Sequence, residues 1–277
     1  MERKELKRVI YEKDGPIARV IMNYPEKSNV QDEQMAWDFD ECITLAENDW
    51  DVKVVIIKGN GRGFCAGHVI GTGFPSTAGK PPKAYSDLFL WPVLHLWECQ
   101  KPTISQVHGY CLGGGTYFAY FTDMTVCSED AYFQMPLVQG LGLPGGPPCV
   151  EPWIFQNWKQ ASKYMYTAQT LSAQEALRLG LVNDVVPRDQ LEETVEEMAR
   201  VIAQAPLATL LATKQQIKRA FEIRGMRVQI QASRDLFSMA TGEEAQKWRE
   251  ERAKRPLQQQ YPRVYAAQRA GQVTQSG

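Results

Sequence analysis

The chain is short of the residues that would build a metal centre. Its 277 residues include only three histidines, His68, His95 and His108. Its six cysteines, Cys42, Cys65, Cys99, Cys111, Cys127 and Cys149, show no Cys-x-x-Cys spacing. A metal site is therefore not expected, and the cysteines read as buried free thiols of a reducing compartment. Net charge is missing as well, since 31 basic and 32 acidic residues leave −1. That balance gives no electrostatic footing for nucleic acid or an anionic membrane, although a few scattered cations can still grip a small phosphorylated ligand. No apolar run approaches the length of a membrane span, and the start, MERKELKRVIYEKDG, is charged where a signal peptide would be apolar. The expectation is a cytoplasmic protein without nucleic-acid or membrane partners.

What is present is a large apolar fraction, 44%, enough for one large domain or a domain with an appendage. PIARVIMN (16–23) reads as a strand, and QDEQMAWDFDECITLAEND (31–49) places Met35, Phe39, Ile43 and Ala46 three to four apart, as an amphipathic helix does. VKVVIIKG (52–59) is nearly continuous in apolar residues, like a strand buried on both faces. TISQV (103–107), MTVCS (124–128) and LVNDVV (181–186) read as further strands. Strands alternating with helices predict an α/β core. From about Arg188 the period is helical throughout, so the chain divides into an α/β body, residues 1–200, and a helical C-terminal region, 201–277. Residues 71–87, rich in Gly, Pro, Ser and Thr, read as a long functional flap or a disordered loop.

Two of the strands run into glycine-rich loops, NGRGFCAGHVI (60–70) and HGYCLGGGTYF (108–118). Glycine inside a regular element costs about 1 kcal/mol relative to alanine, so three in a row need a reason. If both strands share a sheet, the loops meet at one edge and each presents a backbone N–H to one point, an arrangement that stabilises a carbonyl oxygen as it gains charge. A helix starting at the triple glycine adds the positive end of its dipole. Two ordinary glycine turns are the alternative.

The same residues resemble the enoyl-CoA hydratase/isomerase (crotonase) superfamily over nearly the whole chain. NYPEKSNV, GFCAGHVI, KPTISQVHGYCLGGGTY, LSAQEALRLGLVNDVVP and KRP occur in the family's order and spacing. The resemblance implies a spiral of ββα turns and a helical C-terminal part used for contacts in a homotrimer or hexamer. It implies an acyl-CoA substrate, with coenzyme A as part of that substrate and no separate cofactor. It also implies an oxyanion hole for the thioester carbonyl, made by the N–H groups of His68 and Gly114, with acyl-CoA contacts at Lys27, Ala66, His68, Val69, Ile70 and Gly114.

Hydratases of the family use two glutamates, and this chain has Tyr117 and Leu137 at the matching positions; Val69 replaces the family's aspartate. Leucine has no proton to exchange, and a phenol with a pKa near 10 is a poor base. Three readings follow: an enzyme that keeps the oxyanion hole and uses other groups, an acyl-CoA-binding protein with little activity, or a shifted register in which Asp130 or Glu129 serves. For the first, Tyr117, the His68 side chain, Gln139 and Glu151 are candidate proton-transfer or hydrogen-bonding groups, while Asp123 matches a structural aspartate. Each has a plainer alternative: Tyr117 as a core aromatic, Gln139 as a loop cap, Lys27 and Arg62 as surface charge, and His95 and His108 as satisfied structural histidines. Phe74, Tyr85, Phe89, Trp91, Trp97, Tyr117 and Phe133 are candidates to border the acyl group, and flat side chains suit a bulky or cyclic one. The expected reaction class is that of a lyase, isomerase or C–C hydrolase.

Overall fold

In the computed structural model, residues 1–69 and 84–239 are described, with six positions between 247 and 254. Ile70, Phe74, most of the expected flap and the end of the KRP motif lie outside the described residues. β1 (Glu2–Glu5), β2 (Val9–Asp14) and β3 (Ile17–Met22) form an antiparallel meander at one edge of the main sheet. The first two strands are hidden in the sequence by their charge, because β1 is an edge strand exposed along its length. From β3 the sheet runs parallel through β4 (Val54–Gly59), β5 (Thr103–Val107), β7 (Met124–Ser128) and β10 (Asp184–Val186).

Parallel neighbours need crossovers, and helices supply them. α1 (Glu33–Asn48) joins β3 to β4, with the Asp32 carboxylate accepting from Met35 N at 2.8 Å as its N-cap. Its periodic residues Met35, Phe39, Ile43 and Ala46 are all 0% exposed, as the helical spacing predicts. α2 (Ala84–Glu98) joins β4 to β5, so the last residues of the expected flap are helical.

A second, small sheet contains β6 (Tyr110–Leu112), β8 (Tyr132–Gln134) and β9 (Leu171–Ser172). Cys65 bridges to Cys111 in parallel, which adds the first glycine loop to this stack. Each turn of the chain thus lays one long strand in the main sheet and one short rung beside it. This is the ββα spiral that the resemblance implies.

α3 (Gly114–Tyr120), α4 (Glu151–Phe155), α5 (Trp158–Thr167) and α6 (Ala173–Arg178) complete the body. α7 (Leu191–Ala203), α8 (Leu207–Ile223) and α9 (Met226–Met239) follow β10. α7 lays Leu191, Val195, Ala199 and Ala203 on Ile17, Val54, Ile56, Ile104 and Val126 of the main sheet. A division at residue 200 cuts through α7, which covers one face of the sheet and belongs with the α/β body. No helix among the described residues is long and apolar enough to cross a membrane.

Candidate active site

The two glycine loops meet because they are successive rungs of the spiral. Leu112 N donates to Cys65 O at 2.9 Å, and Phe64 N donates to Tyr110 O at 3.0 Å. Gly67 has φ +92°, and a β-carbon there would stand 2.8 Å from Leu112 O and 3.2 Å from Gly114 N. The three consecutive glycines exclude side chains for three different reasons. Gly113, with φ 51° and ψ −127°, turns the chain into α3 through a conformation that L side chains avoid. A β-carbon on Gly114 would collide with the His68 imidazole, 2.7 Å from Cδ2. One on Gly115 would lie 2.6 Å from Cys65 O. The imidazole therefore occupies the room that a side chain at Gly114 would need. Gly114 opens α3, so its N–H has no acceptor within the helix. With seven residues α3 is barely two turns, and the local N–H matters more than any helix dipole.

Asn29 fixes the first loop. Its Nδ2 donates to Asn60 O at 2.8 Å and to Phe64 O at 3.0 Å, while its Oδ1 accepts from Tyr24 N at 2.9 Å. Ala66 N donates to Ser28 O and Val69 N to Gln31 O, each at 3.0 Å. Lys27 is exposed one residue before Ser28, at the rim of this loop, with no ion pair among the described residues. Arg62 is likewise exposed. Thus Lys27, Ala66, His68, Val69 and Gly114 gather around the junction of the two loops.

Burial lowers the His68 pKa to about 4, so the ring is neutral at ordinary pH. Tyr117, one turn into α3, is 3% exposed, and its hydroxyl abuts Gly146. Glu151, at the start of α4, is fully buried, and burial raises its carboxyl to about 7 against smaller downward pulls from its own amide and from Tyr117. Neither carboxylate oxygen nor the Tyr117 hydroxyl meets hydrogen-bond geometry with a described group, although each influences the other's ionisation. Beside them, the Tyr120 and Tyr164 hydroxyls bond to each other at 3.1 Å. Of the sequence candidates, Glu151 and Tyr117 are therefore brought together. Residue spacing could only nominate Glu151, since its burial depends on how α3, α4 and α5 pack.

The other candidates are occupied elsewhere. Gln139 is exposed, and its amide donates to Tyr166 O at 2.8 Å, the capping role rather than a catalytic one. Asp123 accepts from Thr103 N at 2.8 Å and pairs with Lys214 at 2.8 Å, a structural tie. Asp130 pairs with Arg188 at the surface, and Glu129 is exposed beside it. His108 bonds Gly61 O at 3.0 Å, and His95 sits between Asp40 at 2.6 Å and Glu47 at 2.9 Å. Both histidines thus take their structural reading.

Two aromatic candidates for the acyl border also move. Phe133 is 0% exposed on β8, inside the core, and Trp91 is 57% exposed. A cavity of about 510 Å³ lies at the far end of α3, between Tyr120, Trp153, Leu210 and Lys218. None of His68, Gly114 or Tyr117 lines it.

Comparison with known proteins agrees with this geometry. The Enoyl-CoA hydratase/isomerase family profile matches residues 12–257. A Short-chain-enoyl-CoA hydratase of Clostridium acetobutylicum is 35% identical over 242 residues, covering 86% of this chain and 90% of its own. An (E)-benzylidenesuccinyl-CoA hydratase of Thauera aromatica is 32% identical over 210 residues, 75% of this chain and 80% of its own. A solved structure of a probable enoyl-CoA hydratase from Mycobacterium smegmatis superposes with a TM-score of 0.80 at 29% identity, over 85% of this chain and 94% of that one. With the spiral, the paired glycine loops and these matches together, the chain belongs to the enoyl-CoA hydratase/isomerase family, the crotonase superfamily of acyl-CoA enzymes.

Proposed function

We propose that this acyl-CoA enzyme stabilises a thioester enolate at the N–H groups of His68 and Gly114 and acts without the two-glutamate hydration mechanism. The observation that supports the reading is the contact of the Gly67–His68 segment with the start of α3, where a β-carbon on Gly67 would stand 3.2 Å from Gly114 N. Lys27, Ala66, Val69 and Ile70 complete the coenzyme A contacts in this reading, and no cofactor beyond the substrate's own coenzyme A enters it. Tyr117 takes the place of one glutamate as the group that handles a proton, and Leu137 leaves the other place without chemistry. A bulky or cyclic acyl group is supported by the likeness to a relative named for a benzylidenesuccinyl thioester.

Isothermal calorimetry and turnover assays test this together. The protein is expected to bind acetyl-CoA and a ring-bearing enoyl-CoA, and to hydrate crotonyl-CoA slowly, since each missing acid–base group is worth about 10²–10⁴-fold. Turnover of crotonyl-CoA at the rate of an efficient hydratase would overturn the mechanism. Binding to neither thioester would sink the acyl-CoA reading altogether. Binding with no turnover of any enoyl-CoA would favour an acyl-CoA-binding protein.

A further inference from the structure

A carboxylate buried without hydrogen bonds loses its hydration and gains nothing in return. Glu151 is 0% exposed, and its oxygens lack a well-formed hydrogen bond among the described residues, with only its own amide and Tyr117 close enough to favour its charge. The Tyr117 hydroxyl is in the same condition at 3% exposure. The ionisable groups that feel the charge of Glu151 are Tyr117 and Tyr120 from α3, Tyr164 from α5 and Cys149 from the segment before α4. Cys111 acts on Tyr120 and Tyr164 from behind. Since Tyr120 and Tyr164 bond each other, Tyr117 is the tyrosine of the three left facing Glu151. Helical side chains lean toward the helix N-terminus, so Tyr117 stands over the turn that begins at Gly114. Gly146 lies against its hydroxyl, and both Tyr117 and Glu151 are buried from bulk water.

We propose that Glu151 is the proton store of this site and exchanges its proton with the α-carbon of a bound acyl-CoA through the Tyr117 hydroxyl. The inference rests on the reading that the thioester carbonyl is held at His68 and Gly114. In the forward step the α C–H bond breaks, and its electron pair forms the enolate C=C as the carbonyl oxygen becomes the oxyanion. The released proton forms a new O–H bond on Tyr117, whose original O–H breaks and passes its proton to the Glu151 carboxylate. The reverse step returns a proton to carbon and restores the carboxylate. Tyr117 never rests as a phenolate, which removes the objection that a phenol is a poor base. Glu151 touches no substrate in this scheme and is a positioning residue. Its carboxyl, held at about 7, is available in both forms near neutrality.

The test is exchange of the α-protons of 3-phenylpropanoyl-CoA in D₂O, followed by mass spectrometry, with binding measured in parallel. Wild-type exchange is expected to rise with pH through a limb near about 7, as the carboxylate forms. Glu151→Gln and Tyr117→Phe should each lower exchange at least about 100-fold with little change in Kd, and the double variant should lose no more than either single one. Glu151→Asp should recover part of the loss. Exchange by Glu151→Gln within about threefold of wild type overturns the proposal. So does wild-type binding without any exchange, which leaves the acyl-CoA reading standing. Failure of the wild type to bind the thioester removes both. If Glu151→Gln does not fold, the wild-type profile decides, and a profile flat between about pH 5 and 9 overturns the relay.

Discussion

Glu151 titrates near 7 in the folded protein, whereas an ordinary glutamate titrates near about 4.3 in an unfolded chain. Between those values the native state holds a proton that the unfolded state has given up. Stability therefore falls as pH rises across that window, and the deficit is complete above about 7, on the order of 4 kcal/mol. Glu151→Gln removes the charge and keeps the shape. It should raise Tm by several degrees at about pH 8 and leave it nearly unchanged at about pH 4, in thermal unfolding followed by circular dichroism. Equal shifts at both pH values would show that the carboxyl is not held protonated by burial. At this scale the sequence was partly legible. The glycine run announced a constrained turn, and Tyr117 and Leu137 stood out against the family pattern. What each glycine avoids, and that Glu151 meets Tyr117, depends on contacts between chain segments that no local spacing encodes.

Among the elements, the long strands were readable because continuous β-branched runs and helical periods are strong local signals. β5 and β7 lie at Thr103–Val107 and Met124–Ser128, where the sequence puts them. The short rungs β6, β8 and β9 were not readable, since strands of two or three residues carry no period and exist only because successive turns stack. That stacking brings Gly114 N–H to the Gly67–His68 segment, and proline at Gly114 both removes the donor and presses a β-carbon on the His68 ring. Gly114→Pro should cut turnover about 10²–10³-fold, provided oligomer size and far-ultraviolet spectrum are preserved; unchanged turnover in a folded variant would reject the oxyanion role. A second element-level tie joins α1 to α2. The Asp40 and Glu47 hydrogen bonds, outweighing burial, hold His95 raised to about 9. A histidine raised in this way contributes stability that is fully present below its unfolded value of about 6.5 and is lost as pH climbs through about 9. His95→Gln should therefore cost up to about 3 kcal/mol near pH 6 and much less above pH 9, as read by urea unfolding at the two pH values.

At the level of the whole molecule, α8 buries charge while leaving branched aliphatics open. Its buried positions include Lys214 and Lys218, each 6% exposed, while Ile217 and Ile223 on the same helix are 59% and 85% exposed. The inward lysines are accommodated: Lys214 pairs with Asp123 and donates to Lys101 O at 2.8 Å, and Lys218 lies 5.5 Å from the centre of the Trp97 ring. Such burial of charge with exposure of branched aliphatics is unfavourable unless those aliphatics are covered. α9 also exposes aliphatics, Val228 at 74% and Leu236 at 60%. The C-terminal helices were legible in the sequence as helices, but which side they turn outward was not, because apolar residues occur on more than one face. In the homotrimer or pair of stacked trimers that the family resemblance implies, a second copy of the chain is expected to cover these aliphatics. Closed cyclic assembly would bury the patch on every subunit alike. Light scattering at micromolar protein should give a multiple of three subunits, and Ile217→Glu combined with Ile223→Glu should shift the mass toward the monomer while the spectrum stays helical. A wild-type monomer would refute the assembly, and a mass unmoved by both charges would place its surface elsewhere.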